Sequence, residues 1–335
     1  MTVTGRPAPI PHVALAHLPT PLEPLTNLSK ALGGPRIWVK RDDATGLAFG
    51  GNKARKLEYL MADAIEQRAD VVLTTGAMQS NHCRQTAAAA ARLGVECELL
   101  LEDRFADWPN EYRQGGNRFL DDLVGARVTE YEVGTDMTAA LEQRAGELRA
   151  AQRNPYIVAM GGSSVIGAMG YRTAAVEILR QGEEVSGEIR EIVHATASGG
   201  TQAGLIAGLA IKRSAVPVLG ISAGAPASYL QPLVHNLAAE VIQRIGIDRP
   251  IPEAAVVVDD SHVGEAYGVP TDSMREAVGL CARTEGLLLD PVYSGKAMAG
   301  LIAHIRAGRY QRDDNVVFIH TGGTPALFSY RDSLS

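Results

Sequence analysis

The chain alternates between short apolar runs and longer segments in which apolar residues recur at the spacing of a helix. Each apolar run is typical of a strand that is buried on both faces, as in a parallel sheet. The clearest runs are IWVK at 37–40, VVLTT at 71–75, VECELLL at 95–101, EIVHAT at 191–196, VPVLGIS at 216–222 and NVVFI at 315–319. The alternation continues throughout, without an internal repeat or an obvious linker, and therefore predicts an α/β fold.

The segments between these runs are predicted to be helices or connections. Helices are expected at 26–32, from Lys53 onward, and at 83–93, 117–124, 136–152, 165–181 and 271–283, with a further strand at 126–132. The proline-rich residues up to Pro24 predict an extended arm. Residues 104–117 predict a polar, glycine-rich connection. The sequence Arg41-Asp42-Asp43 is interpreted as a solvated strand end without catalytic chemistry.

Lys53 is the first candidate for chemistry. It follows Gly50-Gly51-Asn52 and falls in the first turn of a predicted helix, where free N–H groups make the surroundings electropositive. A lysine there is either a phosphate-binding point charge or an amine whose charge is suppressed so that it acts as a nucleophile. A solvated surface lysine is the alternative.

Two polar loops follow predicted strands at the edge where open α/β sheets bind ligands. Ser80, Asn81 and His82 begin a helix, where side-chain oxygens cap and N–H groups bind anions. A simple helix cap is the alternative. The second loop, Ser198-Gly199-Gly200-Thr201, combines glycines and hydroxyls in a way that suits a phosphate, or else forms a turn needed for packing.

The second loop is neither a GxGxxG fingerprint nor a GxxxxGK[ST] loop, so a small monophosphate is favoured over a dinucleotide or nucleoside triphosphate. Two tyrosines on turns, Tyr267 and Tyr293, and Thr321 after the last apolar run complete the candidate set. An amine nucleophile, a monophosphate loop and no metal-ligand pattern together indicate pyridoxal 5′-phosphate as the cofactor.

Composition narrows the function classes. The 335 residues carry a net charge of −6 without a basic run, which argues against nucleic acid as a partner. No apolar run is long enough to span a membrane, and no signal peptide is recognised at the N-terminus. Three widely spaced cysteines fit reduced thiols, and a cytoplasmic location is expected. Only six lysines are present, which leaves few candidate amines.

Several long motifs resemble those of one enzyme family. They are PTPLEPL around Thr20, WVKRDD, GGNKARKLEYL, GAMQSNHCRQTAA, LDPVYSGKAMAGLI and HTGGTPALF, and they cover nearly the whole chain. The chain resembles the fold-type II pyridoxal 5′-phosphate enzymes, in the group of D-cysteine desulfhydrase, 1-aminocyclopropane-1-carboxylate (ACC) deaminase and L-cysteate sulfo-lyase. The resemblance implies two open, mostly parallel sheets flanked by helices, as in the tryptophan synthase β subunit.

The resemblance also implies residue roles. Lys53 would bind the cofactor covalently and act as the base. Asn81 would contact the phenolic oxygen of the cofactor, and Thr321 would lie near its ring nitrogen. Ser80 would bind the substrate carboxylate or assist attack. The phosphate would be held by Ser198, Gly199, Gly200 and Thr201, and the amino-acid substrate would also meet Asn81, His82, Tyr267 and Tyr293.

The choice within this group depends on residue 294. ACC deaminases carry a glutamate at the position of Ser294, and opening a cyclopropane ring demands more of the cofactor than expelling a good β leaving group. β-Elimination of D-cysteine to pyruvate, ammonium and hydrogen sulfide is therefore expected. L-Cysteate sulfo-lyase is the alternative, although a sulfonate would need an arginine that the sequence does not identify. ACC deaminase and a non-catalytic cofactor-binding protein are less favoured.

The resemblance further predicts the organisation of the chain. Residues 1–53 and 166–335 would form a large cofactor-binding domain, and residues 54–165 a small inserted α/β domain that could close on the substrate. A homodimer is expected by analogy with the family.

Overall fold

The computed structural model describes residues 10–105 and 107–334. The part of the predicted extended arm that precedes residue 10 lies outside this range. The strands are β1 Leu22–Pro24, β2 Arg36–Lys40, β3 Val71–Ala77, β4 Glu96–Asp103, β5 Arg127–Glu132, β6 Pro155–Ile157, β7 Ile189–Thr196, β8 Val218–Ser222, β9 Val257–Asp259 and β10 Asn315–Ile319. Each predicted strand is therefore confirmed.

The helices follow the predicted order, with small shifts in their bounds. They are α1 Thr26–Leu32, α2 Lys53–Glu66, α3 Asn81–Leu93, α4 Asn110–Gln114, α5 Gly116–Leu123, α6 Met137–Ala150, α7 Val165–Gly182, α8 Gly200–Ile211, α9 Ala227–Arg244, α10 Asp272–Glu285, α11 Ser294–Arg306, α12 Ala326–Ser329 and α13 Arg331–Leu334. Helix α3 begins two residues earlier than predicted, and α4 lies inside the segment predicted to be only a connection. None of the described helices is both long and apolar enough to cross a membrane.

The strands form two separate sheets. The large sheet has the order β1-β2-β10-β7-β8-β9, and only its edge strand β1 is antiparallel. The small sheet has the order β5-β4-β3-β6 and is parallel throughout. The predicted α/β class with two mostly parallel sheets is confirmed. All strands of the small sheet fall within the predicted insert 54–165, but the division into two domains at those boundaries stays a prediction.

Close helix packing joins the start of α2 to the start of α8. A Cβ atom added to Gly170 on α7 would lie 2.2 Å from the carbonyl oxygen of Arg55, and one added to Gly204 on α8 would lie 2.3 Å from that of Ala168. Side chains at these two positions would force the helices apart. The packing therefore sets the relative positions of Lys53, at the start of α2, and of the glycine loop that precedes α8.

The end of strand β2 corrects one expectation. Asp42 is fully buried instead of solvated, and it pairs with Arg55 at 2.9 Å. Its carboxylate also accepts hydrogen bonds from the hydroxyls of Thr20 and Tyr171. Arg55 also pairs with the partly exposed Glu177 at 2.8 Å. The solvated interpretation was wrong, because the partners that bury Asp42 are distant in sequence. No residue of this network lines the cavity described next, so its role is structural.

Candidate active site

A cavity of about 480 Å³ opens where the carboxyl ends of strands from both sheets meet. Its walls come from the start of α2, the loops after β3, β7 and β10, and the turn before α11. Nearly every site residue predicted from the sequence lines it: Lys53, Ser80, Asn81, His82, Ser198, Gly199, Thr201, Tyr267, Tyr293 and Thr321. Gly200 is the exception.

Lys53 contributes the amine of this cavity. It is the first residue of α2, and its Nζ lies 3.3 Å from the Oδ1 atom of Asn52. Burial disfavours the charged amine and lowers its pKa to about 8, although the negative charge of Asp290 opposes the shift. A substantial fraction of Lys53 is therefore neutral near pH 8, as a nucleophile or base requires. Because Lys53 faces the cavity, the surface-lysine alternative does not describe it.

The loop before α8 has the geometry of an anion site. Gly199 adopts the left-handed conformation with φ of 80°, and α8 begins at Gly200 with its unpaired N–H groups and positive dipole end. The hydroxyl of Thr196 lines the cavity at the end of β7 and is buried without a hydrogen-bond partner among the described residues. A buried hydroxyl in that situation favours a polar ligand beside it.

Ser163 and Lys56 support this loop and were not identified from the sequence. The Ser163 hydroxyl donates to Ser198 Oγ at 2.7 Å and accepts the N–H of Gly200 at 3.1 Å. Lys56 Nζ donates to the carbonyl oxygen of Gly161 at 3.0 Å and lies 3.2 Å from Ser163 Oγ. Ser163 thus orders the loop through Ser198 and Gly200. The Lys56 amine lies behind the loop, where burial and the charge of Lys53 hold the pKa of Lys56 well below its usual value of 10.5.

Asn52, which precedes Lys53, connects the start of α2 to the glycine loop and to the end of β10. Its amide nitrogen Nδ2 donates to Thr201 Oγ1 at 3.0 Å, and its backbone N–H donates to the carbonyl oxygen of Thr321 at 3.0 Å. Thr321 follows β10 and lines the cavity. The three residues therefore hold the start of α2, the glycine loop and the end of β10 in one arrangement.

Asn81 lines the cavity, and the oxygen of its side chain is occupied. Its Oδ1 atom accepts from Asn117 Nδ2 at 2.8 Å and from Arg84 Nη1 at 3.3 Å. The Nδ2 group is therefore the part of this side chain that can donate to an oxygen atom of a ligand. Ser80 caps α3 by accepting the N–H of Cys83 at 3.2 Å, so the capping interpretation is confirmed and a binding role stays a prediction.

His82 contacts protein on both sides of its ring. Nε2 lies 2.8 Å from Thr74 Oγ1, and Nδ1 lies 3.5 Å from Thr86 Oγ1. Burial, with the nearby charges of Lys53 and Lys56, lowers the pKa of His82 well below 6.5, so the ring is neutral. The side chain forms part of the wall, and these contacts give no support to its predicted role in binding substrate.

The two tyrosines meet at their hydroxyl groups. Tyr267 Oη and Tyr293 Oη are 2.5 Å apart, and the rings meet at 66° with centroids 5.8 Å apart. Burial raises the pKa of both phenols, so both are proton donors at neutral pH. Arg104, which the sequence did not identify, lies above this pair, with its guanidinium carbon 5.1 Å from the Tyr267 ring centroid.

The residues present fit pyridoxal 5′-phosphate. They supply a partly neutral lysine, a glycine loop at a helix start for the phosphate, and an amide donor for the phenolic oxygen. The structure contains no group of three or more His, Cys, Asp or Glu side chains placed to hold a metal ion within residues 10–105 and 107–334.

Comparison with known proteins gives the family. The family model described as "Pyridoxal-phosphate dependent enzyme" matches residues 13–322. The chain belongs to the pyridoxal-phosphate-dependent enzymes. Relatives of this enzyme include D-cysteine desulfhydrases from Salmonella typhi and Salmonella newport (strain SL254), each 44% identical over 320 residues, which is 96% of this chain and 96% of the relative.

Solved structures agree with the assignment of the chain to the pyridoxal-phosphate-dependent enzymes. A crystal structure of an ACC deaminase homologue is 36% identical and superimposes with a TM-score of 0.87, covering 98% of this chain and 96% of the other. A pyridoxal 5′-phosphate-dependent aspartate racemase is 17% identical, with a TM-score of 0.64 over 91% of this chain and 90% of its own. The latter likeness shows the shared fold alone.

Proposed function

We propose that this enzyme eliminates the β-substituent of D-cysteine, converting D-cysteine and water to pyruvate, ammonium and hydrogen sulfide. The observation that carries the proposal is the 44% identity, over nearly the full length of both chains, to D-cysteine desulfhydrases. A cavity with an amine of lowered pKa and a hydrogen-bonded tyrosine pair supports the same chemistry.

Residues from both sheets would hold the cofactor. Lys53 would bond to it, Ser198, Gly199, Gly200 and Thr201 would hold its phosphate, Asn81 would donate to its phenolic oxygen, and Thr321 would lie beside its ring nitrogen. When bound, pyridoxal 5′-phosphate supplies an electron sink for bond cleavage at Cα. We add Lys56 to the phosphate side, because its amine lies behind the loop at Ser163.

The side chains of the cavity would bind the substrate carboxylate and transfer protons. The start of α3, with Ser80, would bind the substrate carboxylate, because the first N–H groups of a helix attract anions. The neutral amine of Lys53 would accept the Cα proton. Tyr267 and Tyr293 would donate a proton to the departing sulfur, since their hydroxyls share one hydrogen bond and both phenols are protonated at neutral pH.

Ser294 bears on the ACC deaminase alternative. Its buried hydroxyl donates to Asp290 at 2.6 Å, and Ser294 does not line the cavity. The chain therefore has no glutamate at this position with which to contact the cofactor ring. This favours elimination of a good leaving group over ring opening. A protein that binds the cofactor without turnover is distinguished by the experiment below.

The test uses purified protein loaded with cofactor. Pyruvate and sulfide are measured with D-cysteine, L-cysteine and ACC for the wild type, Lys53→Ala and Lys212→Ala, the last being an exposed lysine outside the cavity. D-Cysteine should give equal pyruvate and sulfide with the wild type and Lys212→Ala, and Lys53→Ala should lose at least a thousandfold. Release of 2-oxobutanoate from ACC would replace the proposal with ACC deaminase. Bound cofactor without turnover of any of the three substrates would replace it with a protein that binds the cofactor without catalysis.

Three further expectations accompany this function. We propose that residues 1–53 with 166–335 and residues 54–165 behave as separate domains, as the two sheets suggest. The resemblance to the family supports a homodimer, which light scattering after size exclusion would test. The reduced state of Cys83, Cys97 and Cys281, all buried and unpaired, is compatible with the proposed cytoplasmic location.

A further inference from the structure

Lys296 is a completely buried lysine that does not line the cavity. It lies on α11, three residues after Tyr293, and therefore on the same side of the helix. Its Nζ atom donates to the carbonyl oxygen of Val263 at 2.6 Å and to that of Ala266 at 3.1 Å. Both partners are backbone oxygens of a single loop, and the elimination proposed above assigns this amine no task.

That loop, residues 260–271, joins β9 to α10 and carries Tyr267; it is called the tyrosine loop below. Ala266, which accepts from Lys296, immediately precedes Tyr267. Among the described residues, residues 263–268 otherwise form hydrogen bonds within the loop, apart from the bond between Tyr267 and Tyr293. In this part of the chain, Lys296 is therefore the side chain that attaches the loop backbone to the rest of the protein by hydrogen bonds.

Apolar packing supports one side of Tyr267. A Cβ atom added to Gly224 would lie 2.7 Å from Tyr267 Cβ, so the loop after β8 lies directly against this side chain. Such contacts have no preferred direction and do not fix where the tyrosine lies along α11. The two bonds from Lys296 do so, because a hydrogen bond tolerates only a narrow range of distance and angle.

The charge of Lys296 strengthens this attachment. Burial lowers its pKa to about 8, with the negative charge of Asp290 opposing the shift, so most of the amine is protonated at neutral pH. Hydrogen bonds from a charged donor are about twice as strong as those between neutral groups. If the loop moved away, the buried ammonium would lose both partners, which is costly in the protein interior.

We propose that Lys296 is a positioning residue that holds the tyrosine loop, so that the hydroxyl of Tyr267 stays within hydrogen-bond distance of Tyr293. The two phenol oxygens are 2.5 Å apart in this structure. The inference rests on the proposed elimination, in which this pair donates a proton to the departing sulfur. Without Lys296, Tyr267 would spend less time at the position from which it donates, and elimination of a group that needs a proton would slow.

The first test compares a leaving group that needs a proton with one that does not. Pyruvate release by the holoenzyme is measured with D-cysteine and with β-chloro-D-alanine, which expels chloride. Lys296→Met should lower kcat for D-cysteine by about 10-fold and Tyr267→Phe by about 100-fold. Both should leave KM and the turnover of β-chloro-D-alanine within about threefold of the wild type. The double variant should fall no more than about twofold below Tyr267→Phe, because the two changes remove the same contribution.

Matched variants separate positioning from a general loss of stability. Lys40 is another completely buried lysine, and its Nζ donates to the carbonyl oxygen of Thr20 at 2.6 Å, away from the cavity. Lys40→Met should therefore not change the ratio of D-cysteine to β-chloro-D-alanine turnover. Lys296→Gln keeps an N–H donor without the charge and should recover part of the loss; it also replaces Lys296→Met if that variant does not fold. Equal losses with both substrates, or additive losses in the double variant, would overturn the inference.

Proteolysis provides a readout that does not need turnover. Glu265 is an exposed residue of the tyrosine loop, so the rate at which a glutamate-specific protease cleaves after it, followed by mass spectrometry, reports how often the loop opens. Lys296→Met should raise this rate about 10-fold, with cleavage after the exposed Glu253 within about twofold of the wild type. An unchanged rate after Glu265 would overturn the inference. If the wild type released no pyruvate from either substrate while Lys296→Met still opened the loop, the proposed elimination would be rejected and the attachment of the loop by Lys296 would stand.

Discussion

Ser294 and Asp290 are joined by three hydrogen bonds at the start of α11. Ser294 donates to Asp290 Oδ1 from its Oγ atom at 2.6 Å and from its backbone N–H at 2.7 Å, and the backbone N–H of Asp290 donates to Ser294 Oγ at 2.8 Å. The same carboxylate accepts the N–H of Tyr293 at 3.0 Å. Both side chains are completely buried. The aspartate therefore fixes the turn that carries Tyr293 and also places a negative charge near Lys53.

Removal of the Asp290 charge should lower the pKa of Lys53 further. Asp290→Asn takes away the interaction that opposes the effect of burial, so the pKa should fall below its value of about 8, by about half a unit to one unit. The measurement is the pH dependence of Lys53 modification by an amine reagent in the cofactor-free protein, followed by peptide mass spectrometry. Ser294→Ala keeps the charge and should leave the midpoint unchanged; an equal shift in both variants would contradict this account.

Lys53 should destabilise the cofactor-free protein at neutral pH. The unfolded lysine holds its proton up to about pH 10.5 and the folded one only to about 8, so the unfolded state binds more protons between these values and stability rises with pH across that window. Below pH 8 the full cost remains. Lys53→Met should raise the free energy of unfolding at pH 7 by about 1–3 kcal/mol. Urea unfolding at pH 7 and pH 10 measures this.

The outcome of that experiment is judged against an exposed lysine. Lys212→Met should change the unfolding free energy little at either pH. The gain from Lys53→Met should shrink as the pH approaches 10. A gain that is the same at both pH values would assign the effect to hydrophobic burial instead of to the proton.

Close packing of α7 and α8 should make Gly204 sensitive to a single methyl group. A Cβ there would lie 2.3 Å from the carbonyl oxygen of Ala168 and 2.6 Å from Tyr171 Cβ. Gly204→Ala should lower the unfolding free energy by about 1–3 kcal/mol and weaken cofactor binding, because α8 carries the glycine loop. Gly146→Ala on α6 meets no atom within 4 Å and should stabilise by about 0.5–1 kcal/mol. Urea unfolding and cofactor titration compare the two.

The buried ion network around Asp42 should be costly to break. Burial alone would raise the pKa of Asp42, but Arg55 reverses that effect and holds the pKa below 3.8, so the carboxylate is charged at neutral pH. Asp42→Asn removes one of the two carboxylates that pair with the buried Arg55. It should lower the free energy of unfolding, measured in urea, by about 3–5 kcal/mol. Glu276→Gln removes an exposed pair with Arg306 at 2.5 Å and should cost under about 1 kcal/mol. Similar losses would contradict this contrast.

The sequence predicted those parts of the site that are coded locally. Lys53, Ser80 and the loop from 198 to 201 each lie at the start of a recognisable helix. Ser80 and the loop also follow a recognisable strand, and parallel strands bring their carboxyl ends to one edge. The alternation of apolar runs likewise predicted the strands, because burial on both faces leaves a continuous hydrophobic pattern.

The residues that were missed depend on distant partners. Asn52 reaches Thr201, and Ser163 reaches Ser198, across long stretches of chain that no local pattern relates. Arg104 appeared as one more polar residue in a connection, and only the position of Tyr267 gives it meaning. Asp42 was interpreted as solvated for the same reason, since Arg55 and its other partners approach it from other elements.

Strand β10 lies in the middle of the large sheet, between β2 and β7, although its residues 315–319 follow those of the other described strands along the chain. The carbonyl oxygen of Thr321, just beyond it, accepts the N–H of Asn52 beside the lysine. A nascent chain that still lacks these residues has Lys53 but neither the central strand nor the wall behind it. The pocket can therefore be completed only once translation has passed residue 321.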